Sequence, residues 1–224
     1  MELTEPSTPR HTSQTMNKLK VLVACEESGA VRDAFIARGH FAMSCDLTPT
    51  RSPGPHWQGD VMEIIYAGWD LMIAHPPCTF LSSSGLHWNK RRPERAAQTE
   101  AALDFVRILL AAPIPKIALE NPVGCISSRI RKPDQIIQPY DFGDDASKAT
   151  CLWLKGLAPL RPTLRVPGRV VEWSVGSGKM VERWANQTDS GQNILGPNEH
   201  RQREREARLM PGLRRRLRTN GVEA

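Results

Sequence analysis

The chain has 224 residues, 40% of them hydrophobic, which suits one α/β domain with a small appendage and supplies enough apolar side chain for a buried core. No apolar run has the length of a bilayer-spanning helix, so no membrane partner is expected. The net charge of +6 favours a polyanionic partner without requiring one, since many soluble proteins are as basic.

Residues 1–17 are polar, rich in Thr, Ser and Pro, and lack an apolar h-region, so they read as a disordered leader rather than a secretory signal. Lys20 to Cys25 (KVLVAC) reads as a buried parallel strand, followed by a turn at Glu26-Glu27-Ser28-Gly29. Ala30 to Arg38 has helical spacing, with Val31, Ala34, Phe35 and Ala37 apolar, and Gly39 ends it. Phe41 to Cys45 is a second strand closed by Asp46. Thr48 to Gln58 reads as a loop, and Gly59-Asp60-Val61 leads into a short helix. Trp69 to Ala74 (WDLMIA) is a further strand, ending at His75-Pro76-Pro77. Pro93 to Ala112 is a long amphipathic helix with Leu103, Val106, Leu109 and Leu110 inward. Lys116 to Leu119 and Ala149 to Lys155 complete the strands.

This β-α-β-α-β-α-β succession predicts a doubly wound, mostly parallel α/β sheet with helices on both faces. Ligands in such sheets sit at the carboxyl ends of the strands. Glu26, Asp46, Asp60, Cys78 and Glu120 all fall there. Beyond Gly156 the pattern weakens. Arg165 to Asn198 reads as a small irregular or β-rich region, and Glu199 to Thr219 as helical in its first half, with eight arginines between Glu199 and Arg218. A second basic cluster, Lys90, Arg91, Arg92 and Arg95, follows Cys78. The ordinary reading of either cluster is a solvated face; nucleic acid gains weight for the second because it adjoins candidate chemistry.

The five cysteines, Cys25, Cys45, Cys78, Cys125 and Cys151, form no C-x-x-C pair and no zinc-like spacing with His. An odd count without a signal peptide points to reduced thiols, a cytoplasmic location and no metal. Most are small core residues, and one is a candidate nucleophile.

The first turn holds a single glycine, Gly29, so an amide cradle for a pyrophosphate is poorly supported. A nucleoside cofactor without phosphates suits it better, with Asp46 and Asp60 as acceptors for a ribose diol and an adenine amine. Either aspartate alone more often serves a loop or a cap. In His75-Pro76-Pro77-Cys78 the prolines hold the backbone extended and present the next side chain rigidly. A cysteine there is poorly explained by packing, and its thiolate, a minor form at neutral pH for an ordinary pKa of about 8.5, is the reactive species. Glu120-Asn121-Pro122 is a sharp polar exit from a buried strand, for which capping the next turn is the ordinary reading.

In this order and spacing the set resembles the DNA cytosine-C5 methyltransferase family, and its small phage-type members in particular. Pro76-Pro77-Cys78 with Phe80 to Gly85 resembles the family's proline-cysteine catalytic motif and its Ser-Gly continuation. Glu120-Asn121-Pro122 resembles its Glu-Asn-Val motif, with Pro122 in place of Val. Val21 to Gly29 takes the position of the cofactor loop, with Cys25 where Phe is usual. Asp46 and Gly59-Asp60 match the next two cofactor motifs. Gly143 to Gly156 resembles the strand that carries a Gln-x-Arg-x-Arg signature, read here as Ala146, Lys148 and Thr150.

The resemblance spans Leu19 to Gly156. It implies a Rossmann-like fold dependent on S-adenosylmethionine, or a modified relative of it, with 18–163 catalytic and 164–224 a small recognition-like region and basic segment. It implies Cys78 as nucleophile, with Glu120, Asn121 and Lys148 as further catalytic residues. It assigns Cys25, Glu26, Ser28, Gly29, Asp46, Leu47, Asp60, Val61 and Pro76 to the cofactor, and Ser82, Ser83, Lys90, Arg91 and Arg92 to DNA, with Ser82 to Arg95 a mobile loop. The setting it implies is the cytoplasm of a bacterium or of a phage-infected host cell. The family's large recognition domain has no counterpart beyond Arg165–Asn198, so short or relaxed sequence specificity is expected. Two alternatives stay open: C5 modification of a free pyrimidine nucleotide or single-stranded nucleic acid, and a DNA-binding relative without catalysis.

Overall fold

The computed structural model describes residues 17–194. Nearly all of the expected leader, the half-helical segment Glu199–Thr219 and its arginines lie outside the described residues. The elements in chain order are β1 (Lys20–Ala24), α1 (Ala30–Ile36), β2 (Phe41–Asp46), β3 (His56–Gln58), β4 (Leu71–Ala74), α2 (Ser83–Leu86), α3 (Pro93–Ala111), β5 (Lys116–Pro122), α4 (Ile126–Arg129), β6 (Gln135–Ile137), β7 (Thr150–Lys155), β8 (Arg169–Glu172) and β9 (Met180–Arg183). Single 3-10 turns cover Val61–Glu63, His87–Lys90 and Pro139–Asp141.

Seven strands form one sheet in the order β3-β2-β1-β4-β5-β7-β6. The first five are parallel, and β7 runs antiparallel to both its neighbours. This is a doubly wound, mostly parallel, Rossmann-like arrangement. The winding reverses between β1 and β4, which places a crevice at their carboxyl ends.

Continuous apolar strands are buried on both faces, and the alternation within β1 shows how. Val21 and Val23 pack with Ala42 and Leu71 against Val31 and Phe35 of α1. Leu22 and Ala24 face the other way, into the larger core with Met72, Ala74, Ile117 and Leu119 under Leu103, Val106 and Leu109 of α3. Proline opens α3 at a position that needs no amide donor. Leu110, expected inward, is only half-buried, whereas Thr99, Ala102 and Phe105 are buried.

Two sequence expectations are corrected. The expected loop Thr48–Gln58 ends in a strand, β3, because Ser44 of β2 holds it: its amide donates to the Pro55 carbonyl at 3.1 Å and its hydroxyl lies 2.9 Å from His56 Nδ1. Three residues with no apolar alternation leave no strand pattern to read. The last strand, expected within the βαβ series, is antiparallel. Between β5 and β7 the chain forms α4, β6 and a 3-10 turn, and none of these is a crossover helix of the length that carries a strand back parallel. Its register places Leu152 opposite Glu120 and Cys151 opposite Asn121.

Candidate active site

The ends of β1, β2 and β3 form one half of the site. Beyond β1, Cys25 takes a left-handed backbone, φ 60°, and Glu26 turns inward, 6% exposed. The Glu26 carboxylate accepts from the amides of Val31 at 2.7 Å and Arg32 at 3.3 Å, and from Ser28 Oγ at 3.0 Å. The residue preceding α1 is Gly29, φ 77°, which has no side chain to cap the helix, so Glu26 satisfies its first amides from outside. A carboxylate thus occupies the place a phosphate takes in a nucleotide-binding loop, which is why this turn needs no glycine-rich cradle.

Sequence reading missed Arg32, fully buried in α1. Its Nε pairs with Asp33 at 2.8 Å, Nη1 with Ser44 and Thr50 hydroxyls at 3.1 and 3.3 Å, and Nη2 with the Ser52 and Pro53 carbonyls at 3.0 and 3.3 Å. Every guanidinium direction is used, and the loop before β3 is gathered around it. Its bulk also explains two glycines. A Cβ at Gly29 would lie 2.4 Å from Arg32 Nη2, and one at Gly54 2.8 Å. An arginine on a short helix ordinarily reads as solvent-facing, so no signal in the sequence marked it.

Asp46 ends β2 and accepts from the amide and hydroxyl of Thr48 at 2.9 and 2.8 Å, leaving its neighbour Leu47 39% exposed. Asp60, buried, caps the next 3-10 turn through the Met62 amide at 3.0 Å. Val61 is a core residue. Burial pushes the Cys45 thiol up to about 12, with the charges of Asp46, Asp60 and Glu63 adding to it.

The ends of β4 and β5 form the other half. The His75 amide continues the β1–β4 pairing by donating to the Ala24 carbonyl at 3.0 Å. Pro76 is buried, and Pro77 and Cys78 are half-buried. Asn121, 1% exposed, donates from Nδ2 to the Pro76 carbonyl at 2.7 Å, clamping the turn that presents Cys78. The Cys78 carbonyl accepts from the Leu81 and Ser82 amides at 3.0 and 2.9 Å. The chain then runs alongside the exit from β5: Ser82 bridges Gly124, the Ser83 amide donates to the Val123 carbonyl at 3.0 Å, and the Cys125 amide to the Leu81 carbonyl at 2.8 Å. A Cβ on Gly124 would lie 1.9 Å from that Leu81 oxygen, so this contact demands glycine.

His75 Nδ1 lies 3.3 Å from Glu120 Oε2, with both side chains 29% exposed. The sequence reading gave His75 no role, although it named the run that contains it. His75 Nε2 and Asn121 Oδ1 are buried and without a hydrogen-bond partner among the described residues. The structure therefore brings together Cys78's turn, Glu120, Asn121 and His75.

The other assigned residues lie around this centre. The segment expected as a mobile loop is wound into α2 and a 3-10 turn ending at Lys90. Its base is pinned by Arg95, which donates to the Thr79 and Gly85 carbonyls at 2.7 and 3.2 Å and lies over the Phe80 ring at 4.8 Å. Ser82 Oγ pairs with Ser84 Oγ at 3.1 Å. Arg91 and Arg92 are exposed. Lys148 is exposed too, and among the described residues no hydrogen bond or ion pair joins it to Cys78 or Glu120. Its neighbour Ser147 exchanges two hydrogen bonds with Asn186, at 2.8 and 2.9 Å, which fastens the region carrying β8 and β9 beside the start of β7. Tyr140 stacks on Trp184 there at 3.8 Å, with Arg165 4.9 Å from the Tyr140 ring.

Among the described residues no group of three or more His, Cys, Asp or Glu is placed to hold a metal ion, and no helix is long and apolar enough to cross a membrane. No family model and no curated protein matches the chain. Among solved structures it is similar to the bifunctional kinase-methyltransferase WbdD, with TM-score 0.38 and 14% identity over 72% of this chain and 40% of that one. A complex of WbdD with a kinase inhibitor gives TM-score 0.36 and 13% identity over 84% and 48%. The chain thus spans less than half the length of these proteins. The doubly wound α/β fold rests on the sheet order and strand directions.

Proposed function

We propose that the chain is a cytosine-C5 methyltransferase acting on DNA, with Cys78 as a transient covalent nucleophile. The observation that carries this reading is the stitching of two strand ends into one centre: Asn121 clamps the Pro76 carbonyl, and Glu120 pairs with His75, three residues before Cys78. A nucleophile and a carboxylate on adjoining strands suit attack on C6 of a pyrimidine whose N3 and amine are held at once.

The residues at the ends of β1–β3 fit S-adenosylmethionine. Glu26 already takes the anion position at α1, which disfavours a phosphate, and the carboxylates of Asp46 and Asp60 nearby suit a cationic sulfonium. Asp46 and Asp60 would hold the nucleoside, with Leu47 lying along it. The group supplies an electrophilic methyl when bound.

The chain's own residues account for the rest. Cys78 thiolate adds to C6, and electron density moves to C5. Glu120 hydrogen-bonds N3 and the exocyclic amine, stabilising the adduct as charge builds on the ring. After C5 is alkylated its proton passes to a base, the C6–S bond breaks, and Cys78 leaves as thiolate. A duplex substrate requires the base to be turned out of the stack.

The test combines donor labelling with a trap. Labelled S-adenosylmethionine is expected to mark DNA as 5-methylcytosine and to leave free dCMP unmarked. An oligonucleotide with 5-fluorocytosine, which has no proton to lose at C5, is expected to stay bonded to Cys78. Cys78→Ala is expected to lose both signals, with activity down on the order of a thousandfold or more. A Cys78→Ala protein that still methylates DNA would remove the covalent mechanism.

A further inference from the structure

Arg91 and Arg92 differ from Arg95 beside them, whose guanidinium donates to the Thr79 and Gly85 carbonyls. Arg51, Arg107, Arg129, Arg131, Arg165 and Arg169 each reach a carboxylate. Arg91 and Arg92 reach none among the described residues; their guanidiniums lie 5.6 and 5.2 Å from the centre of the Trp88 ring. Trp88 is itself 39% exposed, so its ring is reachable from solvent. The turn that carries it is held firmly. The Asn89 side chain donates to Thr99 Oγ1 at 2.9 Å, and Thr99 donates to the Phe80 carbonyl at 3.0 Å, two residues from Cys78. The Arg91 and Arg92 amides both donate to the Trp88 carbonyl at 3.0 Å, which keeps ring and cations together.

We propose that Trp88 is a nucleobase-stacking platform and that Arg91 and Arg92 are the phosphate contacts beside it, so that the substrate pyrimidine arrives in a DNA strand with unpaired bases. An aromatic ring interleaved with cations is what such a strand needs: every base has a π-face, and every step has a phosphate. On binding, the guanidiniums exchange the ring for phosphate oxygens and a base takes their place on it. The proposal names the carrier of the cytosine and in that respect rests on the methyltransferase reading. The stacking itself does not depend on it.

The experiment is equilibrium binding of a fluorescent twelve-nucleotide single-stranded DNA, and of an abasic oligonucleotide of equal length, without methyl donor. Trp88→Ala is expected to weaken binding of the base-bearing strand by on the order of tenfold and to leave the abasic strand unchanged. Trp88→Phe is expected to restore most of the loss. Arg91→Gln with Arg92→Gln is expected to weaken both strands and to lower the salt slope by about 1.4, while preserving the preference for bases. Equal loss on both strands in Trp88→Ala, or no loss on either, overturns the platform; so does a double arginine variant that abolishes the base preference. Base-dependent binding in a protein that transfers no methyl group would remove the transferase reading and leave the platform standing.

Discussion

The two halves of the site are built in opposite ways. At the ends of β1–β3 each acidic group has work close at hand: Glu26 and Asp60 cap the turns that follow them, and Asp46 holds Thr48. At the ends of β4 and β5 the organising contacts join residues 45 apart in the chain, His75 with Glu120 and Asn121 with Pro76. Two polar atoms there, His75 Nε2 and Asn121 Oδ1, remain buried without a partner among the described residues. Buried polar groups are normally satisfied, so each such atom calls for a partner such as water, an ion or a reacting group. The first half is held by contacts along the chain, and the second by contacts between distant strands.

Substitutions separate the two halves. Glu120→Gln keeps the shape but loses the acid, and is expected to lower kcat about a hundredfold with the urea midpoint unchanged. A shift in midpoint comparable to that of a core variant would make Glu120 a scaffold group instead. Arg32→Met leaves Asp33, Ser44 and the Ser52 and Pro53 carbonyls without their shared donor. It is expected to cost about 3 kcal/mol in urea unfolding and to raise KM for the methyl donor more than it lowers kcat. An unchanged midpoint would show that the loop holds itself without the arginine.

The smallest effect concerns the thiols. Burial raises the Cys45, Cys125 and Cys151 thiols above their usual range, with Glu120 adding to the shift at Cys151. A raised thiol stays protonated and unreactive until the pH approaches its own value. Brief iodoacetamide treatment of the native protein at pH 8 is expected to modify Cys78 first and these three last, read by peptide mass spectrometry. Early modification of Cys45 would contradict its burial at the end of β2.

Much of the architecture was legible in the chain. β1, β2, β4 and β5 are short, largely apolar runs ending in polar turns, and such runs mark strands buried on both faces. The long helix α3 was visible from its spacing, although Thr99 and Phe105 line its buried face unannounced. β3 and β6 were not, because three-residue strands carry no period and form only where a neighbour supplies hydrogen bonds. The direction of β7 was equally hidden, since nothing local distinguishes an antiparallel strand buried on both faces from a parallel one.

For the site, residue types and order alone determined the candidates: a cysteine after two prolines, a Glu-Asn pair at a strand exit, and acids after the first strands. These are local features, dictated by backbone chemistry within a few residues. Only the tertiary structure decided which candidates meet. It joined His75 to Glu120 and Asn121 to Pro76, turned Glu26 onto α1 and Val61 into the core, and buried Arg32 as the centre of a loop. The reason is that hydrogen-bond partners far apart in sequence are chosen by sheet order and register, which emerge only when the strands pack.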